Sequence, residues 1–511
     1  MGYSSTYPAA GTKPLRTFHG GVHPDDQKQL SEQCAIEPVP VPERLYVPMQ
    51  QHLGTPCEPA VPVGVRVRRG DVIGQASGFV SAPVHAPTSG TITGFVSHPV
   101  THPSGLSMLC AVLESDGKDE WTEGLTGVED PFAMEPALLR DRVRAAGIVG
   151  LGGATFPSFI KLSPPQGKPV ERLIVNGVEC EPYLTCDSRI MVERAADLVD
   201  GILLVLHILQ SRHCTIGIEA NKPEAIRVMQ AAVARHEQIA VAILPVMYPQ
   251  GSEKQLIEVL TGRQVPVGSL PIDVGVVVHN VATVVAVHEA IRIGHPMTSR
   301  VVTVSGRGIV RPANLEVRIG TPTRHLIEHC GGVKPGVARI ISGGPMMGIA
   351  LHSLEEPVVK GSSGILALLE SDVPMRAEQA CIRCGYCVGV CPEELVPCDL
   401  ALWARHDDFD RMTEYDLFSC IECGSCSYVC PAHIPLVHYF RYGKMTIHAR
   451  EREQQKLEHS RQRTQEKAAR VAQEQAERER KKLEMKAKAA AGAAARKASA
   501  TPAADTPEVA P

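Results

Sequence analysis

The sequence predicts a multidomain α/β chain: a small β unit, a central parallel α/β layer, a second small β module, a helical cysteine-rich domain and a charged tail. Three observations carry this. Short apolar runs alternate with helical stretches between residues 171 and 293, the rhythm of a parallel sheet covered on both faces. One cysteine spacing occurs twice between Cys381 and Cys430. From Arg450 onward the chain is Lys, Arg, Glu, Gln and Ala with no aromatic residue, which cannot bury a core.

A chain of 511 residues holds three or four domains at about 100–200 residues each. Aromatics supply 4% of it against 44 Gly and 40 Pro, so the core is aliphatic and the loops are tight. The net charge of −4 gives no reason to expect nucleic acid. Residues 450–500 hold 15 Lys/Arg against 8 Asp/Glu, which leaves −11 for the rest and makes the folded part acidic. No apolar run reaches 18 residues; the best, Val274 to Ile291, is broken by His279, Asn280, His288 and Glu289, so a membrane span is not expected. No secretory signal opens the chain, and Met1 to Thr6 matches a myristoylation pattern only by chance.

The first element, Pro62 to Phe95, has glycine turns leading into Gly70-Asp71-Val72-Ile73-Gly74 and then a hairpin, and it resembles the biotinyl/lipoyl half-barrel. Such carriers need a lysine at the hairpin tip. The tip here is His85-Ala86-Pro87-Thr88-Ser89-Gly90, so a docking or structural role is expected. His19, His23, His85, His98 and His102 follow no metal-ligand spacing and are expected in loops.

The second element opens on GIVGLGGATFPSFIKL, residues 147–162. Its bare glycines let backbone amides approach an anion, although a tight turn between packed elements would use the same residues. It is not the dinucleotide fingerprint, because the third glycine would fall at Thr155 and a helical stretch precedes it where a strand is required. Strands are then expected at Glu171–Asn176, Cys214–Glu219, Ile239–Val246 and Val274–Val278, with helices at Ser188–Gln210, Pro223–His236, Ser252–Leu260 and Val281–Ile293. Ligands of such sheets sit beyond the carboxyl ends of the strands. Those ends carry Asn176, Glu179, Glu181, Tyr248, Gly251, Glu253, Asn280 and Thr283, which could converge on one ligand.

The cysteine motifs read Cys381-x2-Cys384-x2-Cys387-x3-Cys391-Pro392 and Cys420-x2-Cys423-x2-Cys426-x3-Cys430-Pro431. Three thiolates on a bending loop bind three irons of a cubane, and the fourth iron takes the last cysteine of the other motif, as in two-cluster ferredoxins. One [4Fe-4S] cluster is therefore assigned to Cys381, Cys384, Cys387 and Cys430, the other to Cys420, Cys423, Cys426 and Cys391. Zinc favours paired C-x2-C units and has no use for the third cysteine. Exposed thiolate-bound clusters imply a reducing compartment, so the other eight cysteines are read as small buried hydrophobes rather than disulfides. Asp399 to Phe418, between the motifs, reads as helical. A nucleotide site beside one-electron clusters needs a carrier that accepts two electrons and releases them singly, which predicts a flavin.

GLGGATFPSFIKL resembles the glycine loop of the NADH-binding flavoprotein subunit of respiratory complex I, and NGVECEPYLTCDSR, YPQGSEKQLIEVLTG and HNVATV are similar to its later segments in the same order. With FHGGVHP (18–24), GGPMMG (343–348) and the two ferredoxin motifs, the chain resembles the RnfC/RsxC family of Rnf/Rsx electron transport complexes over roughly residues 15–445. That resemblance implies FMN, with Gly150, Gly152, Gly153 and Lys161 at its phosphate and the nearby nucleotide, and Asn280 and Thr283 as further contacts. It implies Asn176 and Glu179 facing isoalloxazine and nicotinamide, Phe156 stacked on the NADH adenine, and Glu181, Tyr248 and Glu253 shaping the nicotinamide side as catalytic groups with Glu179. Two positions depart from the complex I pattern: Val178 stands where an acidic residue is usual, and Ser252 replaces the first of paired glutamates. Arg300 to Gly332 is similar to the small β-grasp (SLBB-like) module of those flavoproteins.

The fold so implied is a biotinyl/lipoyl-like half-barrel at 35–125 after an N-terminal segment 1–34, then a Rossmann-like FMN/NADH domain at 130–297 and a β-grasp module at 298–365. A helical ferredoxin domain follows at 370–445 and a charged helical to disordered tail at 446–511. The family implies an NADH-oxidising or NAD-reducing oxidoreductase subunit, peripheral on the cytoplasmic face of the bacterial inner membrane. Its partners would be integral and other subunits of an ion-translocating complex, with ferredoxin reached only through one of them. The tail would attach to anionic lipid or a partner, or serve only as a solvated helix. Two other readings stand beside this one: a non-catalytic iron–sulfur relay, and a soluble NADH diaphorase.

Overall fold

The computed structural model describes residues 17–373 and 376–499, so the Met1 to Thr6 pattern lies outside the described residues. It divides into two compact units, residues 1–440 and 441–511.

The central layer of the first unit is a four-stranded, all-parallel sheet in the order Ile239–Leu244, Cys214–Glu219, Arg172–Asn176, Val276–Asn280. Its strands are near-continuous apolar runs because helices cover both faces; all six residues of Cys214–Glu219 are buried. Ala195–Leu209 and Val281–His288 pack closely on it, and Gly201 is what lets them meet, since a Cβ there would stand 2.5 Å from the Val284 carbonyl oxygen. The chain builds the sheet outward from Arg172–Asn176 in one direction and then returns to add Val276–Asn280 on the other side. The strand order thus reverses between these two, which opens a crevice at their carboxyl ends.

Expected and observed elements agree to within a few residues. The expected helix at Ser188–Gln210 is broken at Arg194 into Cys186–Glu193 and Ala195–Leu209. The helix from Val281 ends at His288 and continues as one π turn, Glu289–Ile293.

The half-barrel is two small antiparallel sheets. One orders Arg44–Pro48, Ser107–Ser115, Gly90–Pro99 and Arg66–Val67; the other orders Glu58–Pro59, Val72–Gln75 and Val84–His85. Two of the histidines expected in loops lie on these strands: His85 is buried, and His98 stacks on Tyr46 at 3.7 Å between ring centroids. The second β module is a six-stranded sheet that recruits Ile36–Pro38, in parallel with Ala313–Arg318, and closes with Gly364–Leu369. Residues 36–38 therefore belong to this sheet and not to the half-barrel, a long-range pairing that local pattern cannot reveal.

Two short helices, Pro397–Arg405 and Phe409–Glu414, separate the cysteine loops. The second unit is carried by the helix Leu436–Ala498, whose exposed length is held by strong helix formers and pairs such as Lys481–Glu477 at 2.8 Å.

Candidate functional site

Asn176 and Asn280 end the two strands at the reversal and are paired in register. Each turns its side-chain oxygen onto local backbone and its side-chain amide onto a distant partner. Asn176 Oδ1 accepts from the Val178 amide at 3.1 Å while its Nδ2 donates to the Gly251 carbonyl at 2.8 Å. Asn280 Oδ1 caps the following helix at the Ala282 amide, and its Nδ2 donates to Asp187 at 2.6 Å.

The glycine loop lies over this crevice. Gly152 packs against Asn280, where a Cβ would stand in ordinary contact at 3.5 Å from the asparagine Cβ, and the Leu151 amide donates to the buried Thr283 hydroxyl at 2.9 Å. The Gly150 amide donates to the Phe156 carbonyl, and the Thr155 amide returns to Gly150. Between those bonds the amides of Gly152, Gly153 and Ala154 have no hydrogen-bond partner among the described residues, and all three residues are exposed. A run of free N–H groups on a glycine turn is an anion cradle. Gly153 sits at φ +110° with nothing within 4 Å of a Cβ, so its glycine serves the backbone conformation and close approach from outside. Lys161, on the short helix that follows, donates to Glu253 at 2.6 Å and to the Val278 carbonyl at 3.2 Å.

Glu179 faces the same crevice through Asp187. Its carboxylate accepts from the Asp187 amide at 2.7 Å and from the Ser188 amide at 3.3 Å. The loop that carries it is tied down by the buried Lys28, whose ammonium donates to the carbonyls of Glu179, Glu181 and Leu184 at 2.9, 3.0 and 2.7 Å. Burial pushes the Glu179 carboxyl up to about 7, against the nearby Lys28 charge. Glu181 is likewise pushed up to about 7 by burial, against the amides it accepts from.

A carboxyl with a raised folded value keeps its proton in the folded chain while the unfolded chain, near 4.5, has released it. Stability contributed this way is fully present below about 4.5 and lost as pH rises toward about 7. A Glu179→Gln/Glu181→Gln variant is therefore expected to show a flatter unfolding midpoint across that window than the parent chain. Parallel curves for the two would contradict the assignment.

Two of the groups expected to converge with these face the other way. The Glu181 carboxylate accepts from the Met346 and Met347 amides of the GGPMMG loop at 3.0 and 2.9 Å. Tyr248 is buried, and its hydroxyl donates to the Cys423 carbonyl at 2.6 Å. Tyr248 thus sits at the junction with the cysteine domain, and Glu181 reaches it through the GGPMMG loop, whose Met346 carbonyl would lie 2.8 Å from a Cβ on Gly424. The same junction is strapped by FHGGVHP, where the Gly21 amide donates to Val390 and Val22 pairs with Tyr248. Gln255 adds a bond to Glu393 at 2.7 Å.

The cysteines fall into two cavities. Cys381, Cys384, Cys387 and Cys430 line one; Cys391, Cys420, Cys423 and Cys426 line the other. Each therefore draws three sulfurs from one motif and one from the other, a donor set that suits a cubane cluster. Cys381 and Cys384 are exposed, whereas Cys391, Cys423 and Cys426 are buried.

Models of four families match consecutive parts of the chain: an RnfC barrel sandwich hybrid domain at 16–118, a Nuo51 FMN-binding domain at 143–289, an SLBB domain at 301–350 and a 4Fe-4S dicluster domain at 380–434. The chain is 46% identical over 431 residues to a subunit of the proton-translocating ferredoxin:NAD(+) oxidoreductase complex of Clostridium ljungdahlii, covering 84% of this chain and 94% of that one. The chain belongs to the RnfC family of ion-translocating oxidoreductase subunits. The Rhodobacter capsulatus member is 44% identical, with 86% and 85% covered. The Pseudomonas aeruginosa member is 42% identical, and the match spans 90% of this chain but 59% of that longer relative. An NAD+-reducing [NiFe]-hydrogenase structure overlays at TM-score 0.45 and 19% identity, covering 58% of this chain and 60% of that one.

As an RnfC-type subunit, the chain has an FMN-binding domain and a dicluster domain, and the other subunits of its complex are its partners. Sequence reasoning missed three groups at these centres. Asp187 lies inside NGVECEPYLTCDSR with no signal of its own, yet it bridges Glu179 and Asn280. Lys28 gave no signal at all, because its partners are carbonyls more than 150 residues away. Cys398, read as a small buried hydrophobe, lines the first cluster cavity. Its position seven residues after Cys391 was the available clue.

Proposed function

We propose that this subunit exchanges electrons between NADH and its membrane-bound partners through FMN at the strand-order reversal and the two [4Fe-4S] clusters. The observation that carries the reading is the junction at Tyr248 and Cys423, which joins the nucleotide layer to the second cysteine cavity inside one compact unit. A flavin, when bound, accepts the two electrons of a hydride together and passes them on singly.

The free amides of Gly152, Gly153 and Ala154 would hold the flavin phosphate, with Gly150 shaping the loop and Lys161 supplying a point charge. Asn280 and Thr283 would fix that loop over the sheet. Asn176, Glu179 and Glu253 would line the ring and nicotinamide side, and Phe156 would flank the adenine. Tyr248 would act from the far side by holding the Cys423 loop, and Glu181 by holding the GGPMMG loop, against the flavin layer. The buried cavity of Cys391, Cys420, Cys423 and Cys426 would then be the inner electron station. The exposed cavity of Cys381, Cys384, Cys387 and Cys430, beside Ile382 at 68% and Tyr386 at 62% exposure, would be the outer one, facing a partner subunit.

Among the described residues no helix is long and apolar enough to cross a membrane. A peripheral position on the cytoplasmic face of the inner membrane suits that, with ferredoxin reached through other subunits. The test is cofactor analysis of the purified chain with NADH and NADPH oxidation by an artificial acceptor. Flavin, iron and sulfide together with NADH oxidation would support the reading. Iron and sulfide without flavin, and no response to NADH, would leave only an iron–sulfur relay.

A further inference from the structure

Two cations, neither of them in the nucleotide-binding segments, lie buried beneath the glycine loop. Lys360 is 1% exposed, and its ammonium donates to the Gly147 carbonyl at 2.6 Å and to the Pro83 carbonyl at 2.9 Å. Arg300 is 5% exposed; its guanidinium donates to the Leu151 carbonyl at 2.9 Å and to the carbonyl of Lys360 itself. The next residue, Gly361, runs under the loop tip, where a Cβ would meet Thr155 Cγ2 at 2.8 Å. The half-barrel closes the arrangement from the other side. Gln51 accepts from the Lys360 amide at 3.1 Å, and His85, at the hairpin tip where a carrier would place its lysine, is buried against Gly147.

Lys360 has no carboxylate partner among the described residues, and its ammonium is spent on carbonyls alone. A buried cation without a counter-charge is costly unless an anion lies near. Burial draws the ammonium down to about 8, the direction that an anion close by would oppose. Holding the Leu151 carbonyl also turns the Gly152 amide of the same trans peptide to the opposite side.

We infer that Lys360 and Arg300 are positioning residues for the phosphate of the flavin: they clamp the glycine loop from the β-grasp side, against the half-barrel tip, and place buried positive charge beneath its free amides. This rests on the flavin reading above. It also gives the half-barrel a task, since its hairpin tip is one jaw of the clamp.

The test separates charge on the phosphate from general damage to the site. Full-length chain depleted of flavin is titrated with FMN and with riboflavin, which lacks the phosphate, for the parent, Lys360→Met and Lys360→Gln; cluster absorbance reports folding. Glutamine keeps a donor for the carbonyls and removes the charge, so it carries the test if the methionine variant fails to fold. The clamp predicts a preference for FMN over riboflavin that falls by about tenfold in the variants while riboflavin affinity is kept in Lys360→Gln. An unchanged preference, or equal loss of both flavins in Lys360→Gln, overturns the clamp. A parent chain that prefers FMN with variants that match it overturns the clamp alone, whereas a parent that takes neither flavin overturns the flavin reading with it.

Discussion

Replacing Cys391 by serine is expected to abolish or convert the cluster built on Cys420, Cys423 and Cys426 and to leave the one on Cys381, Cys384 and Cys387 intact. The reason is spatial: Cys391 follows the first motif in sequence but lines the cavity of the second, beside Cys423 and Cys426. Losing one of four thiolates leaves one iron without its ligand, so about one iron, or a whole cluster of four, would be missing. Iron analysis and low-temperature electron paramagnetic resonance of the reduced protein read this directly. Cys430→Ser should give the mirror result. Loss of the first motif's cluster on substitution of Cys391 would mean that each motif keeps its own last cysteine. The damage should also be electrical, because the affected cavity is the one against Tyr248 and the nucleotide layer. NADH-dependent reduction of the surviving cluster would then be slowed although its own ligands are untouched.

Lys161→Ala is expected to lower FMN retention by at least about tenfold, the loss of one charge-assisted contact to phosphate, while leaving both clusters in place. The structure sharpens the expectation. Lys161 is also the ion-pair partner of Glu253, so its removal leaves that carboxylate unneutralised 2.6 Å from where the ammonium stood. Lys161→Ala/Glu253→Gln should therefore recover part of the flavin content that the single variant loses. Flavin-to-iron ratios of the purified variants measure both effects. A single variant with full flavin occupancy would remove Lys161 from the phosphate site.

The order of strands and helices between residues 171 and 293 was legible because burial on both faces of a parallel sheet demands continuous apolar strands, and that demand is written residue by residue. The cluster ligands were legible for a related reason: three sulfurs must come from one short loop, which fixes their spacing. The two-cluster ferredoxin arrangement supplied the expectation of a crossed fourth cysteine, and the cavities group the cysteines in that way. The tail's composition likewise announced its helix, since strong helix formers and i,i+4 pairs such as Lys481–Glu477 are local.

Other features are products of long-range contact and have no local signature. Tyr248 and Glu181 follow strand ends of the parallel sheet, yet their hydrogen bonds go to Cys423 and to the Met346 and Met347 amides, more than 160 positions along the chain. Lys28, Arg300 and Lys360 each donate to carbonyls of the Glu179 loop or the glycine loop, and a carbonyl is the same group in every residue, so no pattern of side chains announces the partner. Residue type and spacing thus settle the iron–sulfur chemistry, because cluster ligands need cysteines at particular intervals, whereas the flavin was carried by the family resemblance. Which groups hold those centres together is settled by folding, because backbone oxygens accept a buried cation wherever the packed chain brings one to them.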